Sequence, residues 1–145
     1  MKGKTTMQVV YTASATSTGD GRTGHVRSVD GVIDTDLAVP KEMGGPGGAL
    51  PNPEEFFAAG YAACFHSALR GIARRDKIDL TDTAITVDVG IGPNDQGGFG
   101  LAVTIEAELP GLDETTARDL LDKAHQVCPY SNATRGNVDV TLNLA

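Results

Sequence analysis

Cys64 and Cys128 are the only thiols in this chain, and each stands in apolar surroundings. Cys64 lies in the run Glu54-Glu55-Phe56-Phe57-Ala58-Ala59-Gly60-Tyr61-Ala62-Ala63-Cys64-Phe65, helix-like and almost free of polar interruption, and Cys128 closes a second helical stretch just ahead of Pro129-Tyr130-Ser131-Asn132. Such a pair fits a redox centre in which one thiol attacks and the other resolves. Buried cysteine also serves as a small hydrophobe, so inert core packing stands as the alternative on the residues alone. A thiol that reacts at neutral pH must be a thiolate, and Cys64 lies twelve residues beyond the helix-start residue Asn52. That is too deep in its helix to gain from the dipole, so it needs a cation nearby.

The histidines do not supply an obvious one. His66 is two positions from Cys64, roughly 200° around a helix, which sends the two side chains to opposite faces. The same rotation counts against a zinc site built from Cys64, His66, His125 and Cys128, although His125 and Cys128 at i, i+3 could share an ion; no metal and no bound cofactor are expected. A Cys/His hydrolase with His25 or His125 as base is chemically open, but no spacing selects it. The three histidines read as surface or helix-face residues. Gly44-Gly45-Pro46-Gly47-Gly48 lacks the Lys-Ser/Thr ending of a phosphate loop and reads as a connector. Asn132-Ala133-Thr134 matches the glycosylation sequon and reads as a chance match in a turn.

The elements that must position these residues belong to a chain of 145 residues and 15.0 kDa, which suits a single domain over residues 1–145. A net charge of -7 and a pI near 4.8 withhold the basic footprint that phosphate backbones require, so nucleic acid is not an expected partner. The start, from Met1 to Gln8, is positive with no apolar run behind it, and no later stretch approaches about 18 consecutive apolar residues. A soluble, unexported, cytoplasmic protein with no membrane partner is expected. There a permanent disulfide is disfavoured, leaving the cysteines reduced at rest, transiently oxidised or metal-bound.

Short antiparallel strands are predicted at Val9-Val10-Tyr11-Thr12, His25-Val26-Arg27-Ser28-Val29 and Val32-Ile33-Asp34, split by the turn signals Gly19-Asp20-Gly21 and Asp30-Gly31. Asn52 can cap the following helix, with Pro53 at its first position and Glu55 at its third. From Phe56 to Phe65 that helix is apolar all round, which predicts burial rather than amphipathicity. Period-two alternation then marks strands through Ile85 to Ile91, Leu101 to Leu109 and Val138 to Leu144. Between the last two lies a helix from Asp113 to Val127, with Ala117, Leu120, Leu121, Ala124 and Cys128 on one face and Pro129 as its stop. The order of elements suits an α+β domain whose sheets cover a buried helix and a half-buried one.

The long helix run resembles the organic hydroperoxide resistance branch of the OsmC/Ohr superfamily, as does Ala124-His125-Gln126-Val127-Cys128-Pro129-Tyr130-Ser131-Asn132-Ala133-Thr134-Arg135-Gly136-Asn137. The similarity extends from about Gln8 to the last residue and includes Val89-Gly90-Ile91-Gly92 and Gly97-Gly98-Phe99-Gly100-Leu101. The resemblance implies antiparallel sheets wrapped around two central helices in an intertwined homodimer. It also implies a thiol peroxidase for alkyl and lipid hydroperoxides, with Cys64 as the peroxidatic cysteine, Cys128 as the resolving cysteine, Arg22 beside the thiolate and Glu54 holding that arginine. Arg22 aligns only with a one-residue offset, and Arg27 is the fallback. The implied reductant is an external dithiol, a lipoyl group on a carrier protein. A redox-sensing or ligand-binding module on the same fold, oxidised once without turnover, is the alternative reading. On one unbroken helix Glu54 and Cys64 would stand about 15 Å apart. Either the helix breaks near Gly60, or Arg22 and Glu54 reach the thiol from a second chain.

Overall fold

The computed structural model describes residues 7–145, so the start of the chain on which the export expectation rests lies mostly outside the described residues. The chain divides into two compact units, residues 1–52 and 53–145. In the first, β1 (Ala15–Thr18), β2 (His25–Ser28) and β3 (Asp34–Asp36) form an antiparallel sheet in the order β1-β2-β3. The β2–β3 hairpin is closed by Asp30, whose carboxylate accepts from the Ser28 hydroxyl at 2.6 Å and the Val32 amide at 3.0 Å, while Gly31 takes the positive φ of 76° that the turn demands. Across the same hairpin His25 sits between Asp36 and Asp34, one ring nitrogen on each carboxylate, and those hydrogen bonds raise its pKa. Val9 to Thr12 forms no strand; it lies outside both sheets with Val9, Val10 and Tyr11 exposed. Strand propensity describes a side chain suited to a pleated surface, and without a neighbouring strand it builds nothing.

The second unit holds α1 (Pro53–Arg75), β4 (Ala84–Pro93), β5 (Phe99–Glu108), α2 (Glu114–Val127), α3 (Pro129–Thr134) and β6 (Asp139–Leu144). Its sheet runs β4-β5-β6, so β5 is central, and its inward residues Val103, Ile105 and Ala107 are accordingly the deepest. The register pairs Ile105 with Val87 on one side and Leu142 on the other, which makes the period-two alternation of the three strands a single apolar face. That face packs against α1 and α2 in one core with Phe65, Leu69, Leu120 and Leu121. Each large side chain removed from water there stabilises the fold by about 1.5–3 kcal/mol.

The expected α+β class is observed, with one correction to its antiparallel sheets: β6 lies parallel to β5. Parallel neighbours need a crossover, and here α2 and α3 are that crossover. The α2 helix is capped by Asp113, which accepts from the Thr116 amide at 3.0 Å and its hydroxyl at 2.7 Å, and it buries Ala117, Leu120, Leu121 and Ala124 as their spacing predicts. By contrast α1 does not bury all round. Its stripe Tyr61, Phe65, Leu69 and Ile72 is buried, whereas Phe56, Ala59 and Ala63 on the other side are exposed in the single chain.

Candidate thiol site

The α1 helix is unbroken from Pro53 to Arg75, so no kink at Gly60 shortens the path from Glu54 to Cys64. Cys64 follows the buried Tyr61 by three positions and is half-buried. Cys128 is fully buried at the junction of the two later helices. Pro129 cannot continue α2 and holds its predecessor out of the helical region, giving Cys128 an extended φ/ψ of -62°/125°. The turn is nevertheless firm, because the Cys128 amide donates to the Ala124 carbonyl and its own carbonyl accepts from the Asn132 amide, both at 2.9 Å. Beyond it the chain starts again as α3 with Pro129 at the first position. Asn132-Ala133-Thr134, which reads as part of a turn in the sequence, lies instead at the end of α3, so Cys-Pro-Tyr-Ser-Asn-Ala-Thr is one helix end followed by another helix start.

This joint brings the two free thiols together. Cys64 is near enough to Cys128 and to the Tyr130 backbone amide for both to act on its thiol. Burial pushes the Cys64 thiol pKa up, and the neighbouring Cys128 adds to the rise through charge and hydrogen bonding; the Tyr130 amide pulls the other way. These influences together favour the protonated thiol, so activation calls for a positive charge beyond them.

Behind the thiols stands a polar cluster that the sequence does not announce. The Tyr61 hydroxyl is 2.8 Å from Ser131 Oγ and 3.1 Å from Thr134 Oγ1, and Ser131 Oγ is 2.8 Å from His125 Nδ1. Tyr61, Ser131 and Thr134 are all buried. The Arg135 guanidinium donates to the His125 carbonyl at 2.8 Å and also bonds the Asn132 side chain. Burial, aided by Arg135, lowers the His125 pKa and keeps the imidazole neutral. Phe57, Tyr61 and Tyr130 form an aromatic group with ring centroids 5.5–6.2 Å apart. Gly60 makes that packing fit, since a Cβ there would stand 2.7 Å from the Tyr130 hydroxyl. The one local signal for the cluster is the i, i+3 spacing of Ser131 and Thr134 after Pro129, which puts two hydroxyls on one face of a short helix.

The remaining sequence-predicted residues are placed as follows. Glu54 is the second residue of α1, and Arg22 lies in the 3-10 turn Gly21–Thr23 between β1 and β2. Arg27, the fallback, sits on β2 with its guanidinium 3.8 Å from Asp34 and over Gly31. His66 Nε2 is 2.8 Å from the Thr83 hydroxyl. Among the described residues no three His, Cys, Asp or Glu side chains gather as a metal ligand set would, and no helix is long and apolar enough to cross a membrane.

Residues 45–143 match the family model described as OsmC-like protein. An organic hydroperoxide resistance protein of Xanthomonas axonopodis pv. citri (strain 306) is 53% identical over 139 residues, covering 95% of this chain and 96% of the relative. The chain belongs to the OsmC-like family, in its organic hydroperoxide resistance branch. The similarity extends to the architecture of solved OsmC-like structures. One, an organic hydroperoxide resistance protein from Legionella pneumophila, superposes with a TM-score of 0.90 at 50% identity, covering 95% of this chain and 99% of its own. Another, from Vibrio cholerae O1 biovar eltor str. N16961 and assigned to the same branch, was solved with captopril bound in one of the active sites. It has a TM-score of 0.89 at 48% identity over 97% of this chain and 95% of its own.

Proposed function

We propose that this chain is a cysteine-based thiol peroxidase that reduces organic hydroperoxides to alcohols. The observation that carries the reading is the convergence of Cys64 and Cys128, distant in sequence, as two free thiols in reach of each other. A membership in the organic hydroperoxide resistance branch supplies the substrate class. The Cys64 thiolate attacks the terminal peroxide oxygen, the O–O bond breaks, and the alkoxide leaves and takes up a proton, giving an alcohol and a Cys64 sulfenic acid. The Cys128 sulfur then attacks that sulfenic sulfur; an S–S bond forms, the S–O bond breaks, and the departing hydroxide takes the Cys128 proton as water. A dithiol, the lipoyl group of a carrier protein, restores both thiols by exchange through a mixed disulfide. Phe57 and Tyr130 offer the apolar side that favours an alkyl or lipid peroxide over hydrogen peroxide.

The missing positive charge is Arg22, held by Glu54, and both come from a second copy of the chain in an intertwined homodimer. The unbroken α1 supports this arrangement, because Glu54 and Cys64 on one rod are too far apart for a single guanidinium to serve both. The exposed Phe56, Ala59 and Ala63 give α1 a side fit to meet a second chain. Mixing Cys64→Ser protein with Arg22→Ala protein tests the sharing of sites; activity should return in the mixture, and its absence would favour self-contained sites. The peroxidase itself is tested by adding an alkyl hydroperoxide to reduced protein and counting thiols. Both should be lost per hydroperoxide consumed, and turnover should continue with dihydrolipoamide. A protein that keeps its thiols is not this enzyme, and one that oxidises once without turnover is a sensor.

A further inference from the structure

The cluster behind the thiols is one connected run of hydrogen bonds. With the Thr134 hydroxyl donating to the Ser131 carbonyl at 3.3 Å, its one proton is used and Thr134 accepts from Tyr61. The Tyr61 proton being used there, Tyr61 accepts from Ser131, and Ser131 in turn accepts from His125 Nδ1. In that arrangement His125 carries its hydrogen on Nδ1. The chain of donors runs from α2 to α3 to α1 and back to α3. It also brackets the reacting atoms: His125 precedes Cys128 by three residues, Ser131 follows it by three, and Tyr61 precedes Cys64 by three. Among the described residues no buried side-chain polar atom lacks a partner, so the cluster is closed.

We infer that His125, acting through Ser131, Tyr61 and Thr134, is a positioning residue for the resolving step, holding the Cys128–Tyr130 turn against α1 so that the Cys128 sulfur stays aimed at Cys64. The inference rests on the two-thiol reading above. Once Cys64 carries an oxygen, the Cys128 sulfur must approach opposite the S–O bond that breaks, and apolar packing alone fixes no such angle. Hydrogen bonds do, since each is lost when its geometry turns by a few tens of degrees. The attack on the hydroperoxide asks nothing of this network, because the nucleophile sits on α1 itself. The network thus governs the second step and leaves the first alone.

The test follows one turnover of the reduced full-length protein with cumene hydroperoxide, reading Cys64 oxidation, dimedone-trapped sulfenic acid and the Cys64–Cys128 disulfide by mass spectrometry. His125→Leu and Tyr61→Phe should oxidise Cys64 within about threefold of the unaltered rate. Their disulfide should form about tenfold more slowly or worse, with the dimedone adduct accumulating. His125→Asn, whose amide N–H replaces the Nδ1–H, should restore disulfide formation to within about threefold. A role in packing alone would favour Leu over Asn. Disulfide formation at the unaltered rate in His125→Leu and Tyr61→Phe overturns the inference, as does an Asn variant as slow as Leu. Loss of both steps together in Tyr61→Phe overturns it too. If the unaltered protein itself keeps its thiols, the two-thiol reading fails and takes the inference with it, a result separate from all the others.

Discussion

The surroundings of Cys64 and of Cys128 divide the demands of the proposed two-step reaction between a rod and a joint. Cys64 is half-buried in the middle of a 23-residue helix, where its backbone is held on both sides by the regular ladder. Access is what such a place offers. Cys128 is wholly buried where two helices meet, its backbone fixed by one hydrogen bond backward and one forward and its flanks fixed by side chains. Aim is what that place offers. A thiol that meets a diffusing substrate has to be reachable, whereas one that meets only its neighbour has to be correctly oriented.

The contrast breaks most sharply under single serine substitutions. Cys64→Ser should cut hydroperoxide consumption on the order of 10^3-fold or more, to the uncatalysed rate. Cys128→Ser should leave the first attack intact and stall after one equivalent per chain, with the sulfenic acid trappable by dimedone. Equal loss in both would dissolve the division. Next in size is Arg22→Ala. Burial raises the Cys64 pKa, so without the guanidinium the thiolate appears only as pH rises, and an opposite charge commonly lowers such a pKa by about 1–3 units. The rate at pH 7 should fall roughly tenfold to a hundredfold and recover in alkaline buffer; an unshifted pH profile would remove Arg22 from the site. The disulfide step, measured after Cys64 is oxidised, should be unaffected.

A smaller effect is expected of Gly60→Ala. The new methyl would meet the Tyr130 hydroxyl at 2.7 Å and push the ring from α1. Overpacking of that kind costs about 1–3 kcal/mol, from which the better helix propensity of alanine recovers up to about 1. Urea denaturation should show the net loss, and the disulfide step should slow more than the attack, because Tyr130 belongs to the turn that carries Cys128. Smallest is Asp113→Ala, remote from either thiol, which removes the α2 cap and should lower Tm by roughly a few degrees with no change in thiol kinetics. Hydrogen bonds to the Thr116 hydroxyl and amide hold the Asp113 pKa below its usual value. Its contribution is therefore present above the unfolded carboxyl pKa and is lost as pH falls through the folded one. The gap between variant and unaltered protein should close in acid.

Much of this was legible from local pattern. The α2 face was readable because an amphipathic helix repeats every 3.6 residues, and the strands β4, β5 and β6 because alternation is the signature of one buried face. The direction of β6 was not, since a strand alternates identically whether its neighbour runs parallel or antiparallel. Both cysteines were visible by type, but their meeting depends on a crossover that no spacing encodes. Ser131, Thr134 and His125 looked like ordinary polar residues around a proline. They become a network only when Tyr61, 70 residues from Ser131, is folded against them. The exposed side of α1 shows the opposite failure: an apolar stretch predicted buried all round is covered on one side only within a single chain.

The aromatic group beside the thiols has an optical consequence. The chain contains no tryptophan and only three tyrosines, two of which, Tyr61 and Tyr130, are in that group. Tyrosine emission is quenched by a nearby disulfide far more than by a thiol, and no indole is present to mask it. Intrinsic fluorescence should therefore dim as the bridge closes and recover as a reductant opens it, giving a label-free, real-time trace of the redox state of the unmodified protein.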